Sequence, residues 1–324
     1  MTGNLVDLDP DIARFVAQLG GDWAAHPPLG GLSMPEARVV AESVRTRWTA
    51  GGPEMARTDN LTVDTAAGPL GLRVHRPGGL PDGPAPALLY IHGGGFVIFS
   101  LDTHDRLMRE YAAAGGFVVV GVDYPLSPEH RFPVALERLV ALVDWLRGHG
   151  GALGIDAARL AIGGDSAGAN LSLVTALRLR DAGCGRALRG ILSNYGAFSP
   201  VVSDEAETAH GGPDAMLTQA DMIGYFDNYL GVGRAHHPHA VPLLADDLTG
   251  LPPTLMVVAE RDVLAEQSLA MADRLRAAGV SVTTQVYRGA THSFLEAMSV
   301  AELARRAIAD GARWTATILA DCVR

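Results

Sequence analysis

Leu160-Ala161-Ile162-Gly163-Gly164-Asp165-Ser166-Ala167-Gly168 is a short apolar run, a serine between glycines, and the opening of a helical stretch that reaches Arg180. A bare G-x-S-x-G arises easily by chance in a chain with 38 glycines. Between a strand and a helix it is the setting in which a serine is held on a strained tight turn, with Oγ above the edge of a sheet. The amino terminus of the following helix favours negative charge developing beside that hydroxyl. The competing reading is a glycine-rich turn that merely starts a helix.

Outward from this turn the pattern alternates. Strand-like runs fall at residues 87–91, 117–122, 160–162, 190–194, 254–259 and 282–287. Helical periodicity fills residues 104–114, 133–147, 167–180, 266–278 and 300–319. Continuous apolar strands separated by helices of about three turns predict an α/β fold, with a mostly parallel central sheet flanked by helices. Residues 8–48 read as amphipathic helix broken at Pro27-Pro28-Leu29-Gly30-Gly31. Residues 197–242 break the alternation and read as an insertion, with Tyr225, Phe226 and Tyr229 either lining a pocket or forming the insertion's own core.

A second glycine cluster, His92-Gly93-Gly94-Gly95-Phe96, follows the strand at 87–91. Acyl transfer passes through a tetrahedral oxyanion that needs fixed donors where the charge develops. Consecutive glycines let backbone N–H groups approach such an oxygen. The amides of Gly94, Gly95 and Ala167 are the candidates. A dinucleotide phosphate cradle is the alternative, but no G-x-G-x-x-G is present. Chain order in this architecture is nucleophile, acid, histidine. Asp262 follows the strand at 254–259 and His292 follows the strand at 282–287, on the same sheet edge as Ser166. Ser166, Asp262 and His292 are therefore the expected catalytic residues, with Glu260 a rival for the acid. Such a base predicts a rate that falls in acid.

These residues resemble the hormone-sensitive-lipase-like branch of the α/β-hydrolases (the bacterial family IV esterases), and among them bacterial acetyl esterases. The resemblance is carried by His92–Phe96, Leu101-Asp102-Thr103-His104-Asp105-Arg106, Asp123-Tyr124, Ser127-Pro128-Glu129-His130, Gly164–Gly168, Asp262-Val263-Leu264, Thr291-His292 and Ala309-Asp310-Gly311-Ala312. It spans roughly residues 55–320. Val263 departs from the proline common after the acid, and Ser293 from the small residue frequent after the histidine. The resemblance implies hydrolysis of short-chain acyl esters through an acyl-enzyme on Ser166. It implies that Asp165 and Glu129 support the elbow and its neighbouring loop. It also implies one domain over residues 1–324: a mobile cap from about 1–50 and 197–242 over a core of about 51–196 and 243–324.

Composition limits the alternatives. The formal charge is −10, which disfavours nucleic acid and anionic lipid as partners. All 26 basic residues are arginine, so no chemistry that needs a lysine amine is available. Cys184 and Cys322 have no metal-ligand spacing, and His236-His237-Pro238-His239 lacks a carboxylate or cysteine spaced to complete a site. No metal and no cofactor is expected. The amino terminus has no basic and apolar signal segment, and no apolar run is long enough to span a bilayer. A cytoplasmic protein without membrane anchoring, acting on a small-molecule ester, is the expectation, and a homodimer is left open. The competing functions are an amide, formamide or acylated-natural-product hydrolase with the same triad, and a non-enzymatic receptor on the same fold.

Overall fold

The computed structural model describes residues 7–234 and 237–320. One sheet is built from β1 (Arg57–Thr65), β2 (Gly68–Arg76), β3 (Ala85–Ile91), β4 (Val118–Asp123), β5 (Ile155–Asp165), β6 (Ile191–Asn194), β7 (Thr254–Arg261) and β8 (Val282–Thr291). The spatial order is β1-β2-β4-β3-β5-β6-β7-β8. Strand β2 pairs antiparallel with β1 and β4, and every other neighbouring pair is parallel. The helices are α1 (Pro10–Ala24), α2 (Met34–Thr49), α3 (Leu101–Gly115), α4 (Val134–His149), α5 (Ala167–Asp181), α6 (Asp204–His210), α7 (Gln219–Leu230), α8 (Ala265–Ala277) and α9 (Glu302–Ala320).

The apolar strands are continuous because both faces are covered. Along β3, Leu89 and Ile91 join the core under α4, α5 and α8, while Leu88 and Tyr90 join the core under α3 and α9. The same alternation puts Val120 and Val119 of β4 on opposite faces. Full burial of each such aliphatic side chain contributes roughly 1.5–3 kcal/mol. These stacked strands hold their carboxyl ends in one row, and that row carries the site.

Three elements differ from the expectation. Strand β5 has 11 residues and not the three apolar ones at 160–162. Pairing with β3 on one side and β6 on the other supplies ladder bonds to its glycines and polar residues. Strand β8 runs on to Thr291, which makes His292 the next residue past its end. The β1–β2 hairpin was not expected. Its register closes at Thr65 and Gly68, and in β2 the alternate residues Leu70, Leu72 and Val74 are buried, together with His75.

The segment between β6 and β7 is an insertion, as expected, and holds α6 and α7. The buried side chain of Asn170 in α5 gathers its two ends: Nδ2 donates to Ala197 O (2.6 Å) and Ala240 O (3.0 Å). Helix α1 is capped by Asp9, whose backbone N–H donates to Gly289 O beyond the middle of β8. Helix α2 starts with a Ser33–Glu36 capping box and buries Ala37, Ala41, Val44, Arg45 and Trp48. One arginine on that buried stripe is a departure from an apolar face.

Candidate active site

The candidate triad residues and the head of the glycine loop each directly follow a strand: His92 after β3, Ser166 after β5, Asp262 after β7 and His292 after β8. Parallel strands bring these four ends to one edge, the place where open α/β sheets bind ligands. Ser166 sits at φ 53° and ψ −117°, outside the regions comfortable for a residue with a side chain. Its backbone is held there by an N–H bond to Asn194 O (2.9 Å) and by Ala197 N–H on its carbonyl (3.2 Å). Gly164 and Gly168 make the turn possible, because a Cβ on either would collide with the carbonyl oxygen of Ile91.

The hydroxyl of Ser166 lies 3.0 Å from His292 Nε2, and His292 Nδ1 lies 2.7 Å from Asp262 Oδ2. A carboxylate only accepts, so Nδ1–H donates to it and Nε2 is left to accept from the serine. The other oxygen of Asp262 accepts from Leu264 N–H (2.9 Å), which fixes the carboxylate plane. Glu260, the rival acid, accepts instead from Gly289 N–H (3.0 Å) and lies near Arg261.

Beside the serine, the glycine loop turns through φ 107° at Gly94 and 59° at Gly95. Among the described residues, the N–H groups of Gly94, Gly95 and Ala167 have no hydrogen-bond acceptor. Gly93 N–H is used differently and donates to Asp165 Oδ1 (3.2 Å). His92 is 1% exposed, stacks on Tyr124 and donates from Nδ1 to its neighbour's carbonyl, Gly93 O (2.7 Å). Burial, reinforced by nearby His104, drops its pKa to about 3. It is therefore a neutral scaffold for the loop.

Asp165 is buried and joins the turn to the glycine loop. Besides Gly93 it accepts from Tyr90 Oη (2.9 Å) and faces His104 Nε2 (3.3 Å). Burial opposes its charge, but His104, by charge and hydrogen bond, and Tyr90 outweigh it and hold the carboxyl below its usual range. Glu129 pairs with Arg38 of α2 (2.6 Å). Arg38 also donates to Val97 O (2.9 Å) and Ser127 O (3.0 Å), so Glu129 steadies the loop that continues from the glycines.

A cavity of about 770 Å³ opens over Ser166 and His292. Its walls include Val16 and Trp23 from the amino-terminal helices, and Met222, Tyr225 and Phe226 from the insertion. Tyr229 lies outside this wall, stacked on Phe96 at 3.9 Å. Sequence reasoning missed Arg45 and Glu296, which also line the cavity. Both side chains are 4% exposed and form an ion pair. The signal was available, since Arg45 interrupts a helical stripe of Ala37, Ala41, Val44 and Trp48.

The sequence of residues 88–296 matches the family described as the alpha/beta hydrolase fold. The chain belongs to that family. An alpha/beta hydrolase enzyme from the metagenome of Lake Arreo, Spain, solved as a serine-to-alanine mutant, is similar over 96% of this chain and 98% of that one. It is 30% identical, with a TM-score of 0.89. The hyperthermophilic esterase of the archaeon Pyrobaculum calidifontis is 31% identical over 96% of this chain and 99% of that one, with a TM-score of 0.88. A thermophilic, thermostable carboxylesterase cloned from a metagenomic library is 30% identical over 90% and 99%, with a TM-score of 0.84. The hormone-sensitive-lipase-like branch expected from the motifs agrees with these relatives.

Two features of this α/β hydrolase lie apart from the site. His236 is outside the described residues, as is Cys322. In the same turn, His239 Nε2 meets Asp181 at 2.8 Å, a carboxylate that sequence spacing did not reveal. Cys184 is a free, half-buried thiol. No helix of the described residues is long and apolar enough to cross a membrane.

Proposed function

We propose that this α/β hydrolase is a serine carboxylesterase that cleaves short acyl esters through an acyl-enzyme on Ser166. The observation that carries the reading is the hydrogen-bonded line Ser166–His292–Asp262, set beside three N–H groups with no acceptor among the described residues. His292 Nε2 takes the Oγ proton as Oγ attacks the ester carbonyl carbon. The carbonyl oxygen gains the charge and is met by the N–H groups of Gly94, Gly95 and Ala167. The C–O bond to the alcohol breaks as the imidazolium returns its proton to the leaving oxygen. Water then repeats the sequence on the acyl-enzyme, releasing the acid and restoring Ser166. Asp262 holds the tautomer and stabilises the imidazolium. Neither a metal nor a cofactor is required by these steps.

Residues from about 1–50 and 197–242 act in this reading as a cap over one catalytic domain, because both segments wall the cavity. Pre-steady-state kinetics with p-nitrophenyl acetate test the acyl-enzyme: a burst of nitrophenol equal to the enzyme present is expected. Across acetyl to decanoyl esters, kcat/KM should peak at short chains. A peak at decanoyl, or faster cleavage of aryl formamides than of esters, would contradict the short-ester reading.

The glycine loop gives a separate expectation. A Cβ on Gly94 would strike the carbonyl of Ile98, a backbone atom that cannot swing aside. Gly94→Ala must therefore move the turn that aims two of the donors. A fall in kcat of about 10²–10³-fold is expected, the cost of losing one such donor, with KM little changed. Steady-state kinetics on p-nitrophenyl acetate read both.

A further inference from the structure

The wall of the cavity contains a desolvated charge that ester hydrolysis does not need. Arg45 and Glu296 come from distant parts of the chain, α2 and the turn just after His292, and meet with 4% of either side chain exposed. Glu296 also lies 3.9 Å from His104, and the Arg45 guanidinium lies 4.6 Å above the ring of Phe99. A pair of apolar residues would fill such a place at least as stably, since burying two charges costs about what their attraction returns. Stability alone therefore does not account for the pair.

The hydrogen-bond inventory points to a role. A guanidinium carries five N–H donors. Among the described residues, those of Arg45 have one protein acceptor, Glu296, and Nε is buried without any partner. The group is thus under-satisfied, on the wall of a cavity that also holds Ser166 and His292. Its charge is already matched by Glu296, and buried Asp165 adds further negative charge nearby. A carboxylate entering here would be repelled by both, whereas an uncharged oxygen would be held.

We propose that Arg45 is a specificity residue, which donates to a second, uncharged oxygen acceptor of the substrate, such as a ketone carbonyl. The inference rests on the esterase reading above and narrows its substrate class to esters that carry such a group. The acceptor lies in either the acid or the alcohol part, and the experiment separates them. Glu296 holds the guanidinium and is a positioning residue.

The test measures kcat/KM for matched ester pairs with the wild-type protein, Arg45→Lys and Arg45→Met/Glu296→Leu. Ethyl acetoacetate against ethyl butyrate reads the acid side, and acetonyl acetate against propyl acetate reads the alcohol side. The double variant removes both charges together and so leaves no buried ion unpaired. Each result is the ratio within a pair, divided by that ratio in the variant, which cancels the intrinsic reactivity of the oxo ester. In at least one pair the wild-type preference should exceed that of the double variant by about 10–100-fold, the worth of one charge-assisted hydrogen bond. Arg45→Lys should lose most of it, because an ammonium lacks the planar fork. A purely structural role would slow both members of a pair alike and leave every ratio unchanged, which overturns the proposal. A wild-type preference for monoethyl succinate that disappears in the double variant would overturn the uncharged acceptor. Failure of the wild-type protein to cleave any plain ester would instead strike the esterase reading itself.

Discussion

Replacing Ser166 by alanine is expected to lower turnover of p-nitrophenyl acetate by about 10⁴–10⁶-fold, with the fold unchanged. In the proposed reaction the oxygen removed is the one that bonds to carbon, and no other hydroxyl within the described residues meets His292. The backbone that holds position 166 does not depend on the side chain. Its N–H still donates to Asn194 O, and its carbonyl still receives Ala169, Asn170 and Ala197. Thermal unfolding should therefore move by only a few degrees, since the hydroxyl makes one side-chain hydrogen bond, to His292, and such a bond is worth about 1 kcal/mol. Measured rates within tenfold of wild type would remove Ser166 from the chemistry.

Asp262→Asn is the second large effect, and its cause is a proton in the wrong place. In the native site one carboxylate oxygen accepts from Leu264 N–H and the other accepts from His292 Nδ1–H. An asparagine keeps the first bond with its carbonyl oxygen. Its amide nitrogen must then face Nδ1, where it donates instead of accepting. The imidazole is driven to carry its proton on Nε2, and it can no longer accept from Ser166. A fall in kcat of about 10⁴-fold is expected, with KM and folding little altered. Glu260→Gln, by contrast, should leave kcat within a few-fold of wild type, because that side chain bonds Gly289 and not His292. The two variants assayed side by side decide between the acids.

Most of the sheet was legible because its inner strands are buried on both faces and so appear as unbroken apolar runs. The runs around Leu89, Val120 and Val257 stand out for this reason. The hairpin β1–β2 was not legible. It lies at the edge, mixes Thr, Asp, Asn and Arg with its apolar residues, and is stabilised by pairing that no local pattern announces. The reach of β5 into Gly163 and Gly164 was hidden in the same way, since glycine has no strand preference of its own.

The residues of the site were legible because chemistry demands them at strand ends in a fixed order. Strand-end placement and that order narrowed eleven histidines and 36 acids to Ser166, His292 and Asp262, with Glu260 left as a rival acid. The partner of Glu129 was not legible, because Arg38 lies 91 residues away in the chain. Arg45 and Glu296 are 251 residues apart and lie in no motif. Only the folded arrangement makes them neighbours.

Labelling with a fluorophosphonate, followed by peptide mass spectrometry, tests most directly that His292 activates Ser166. One phosphonyl group per chain is expected, on the peptide holding Ser166, accumulating in step with loss of esterase activity. The His292→Ala protein should label far more slowly, and the Ser166→Ala protein not at all. Complete inactivation with the adduct on another residue, or an adduct on Ser166 with activity retained, would contradict it.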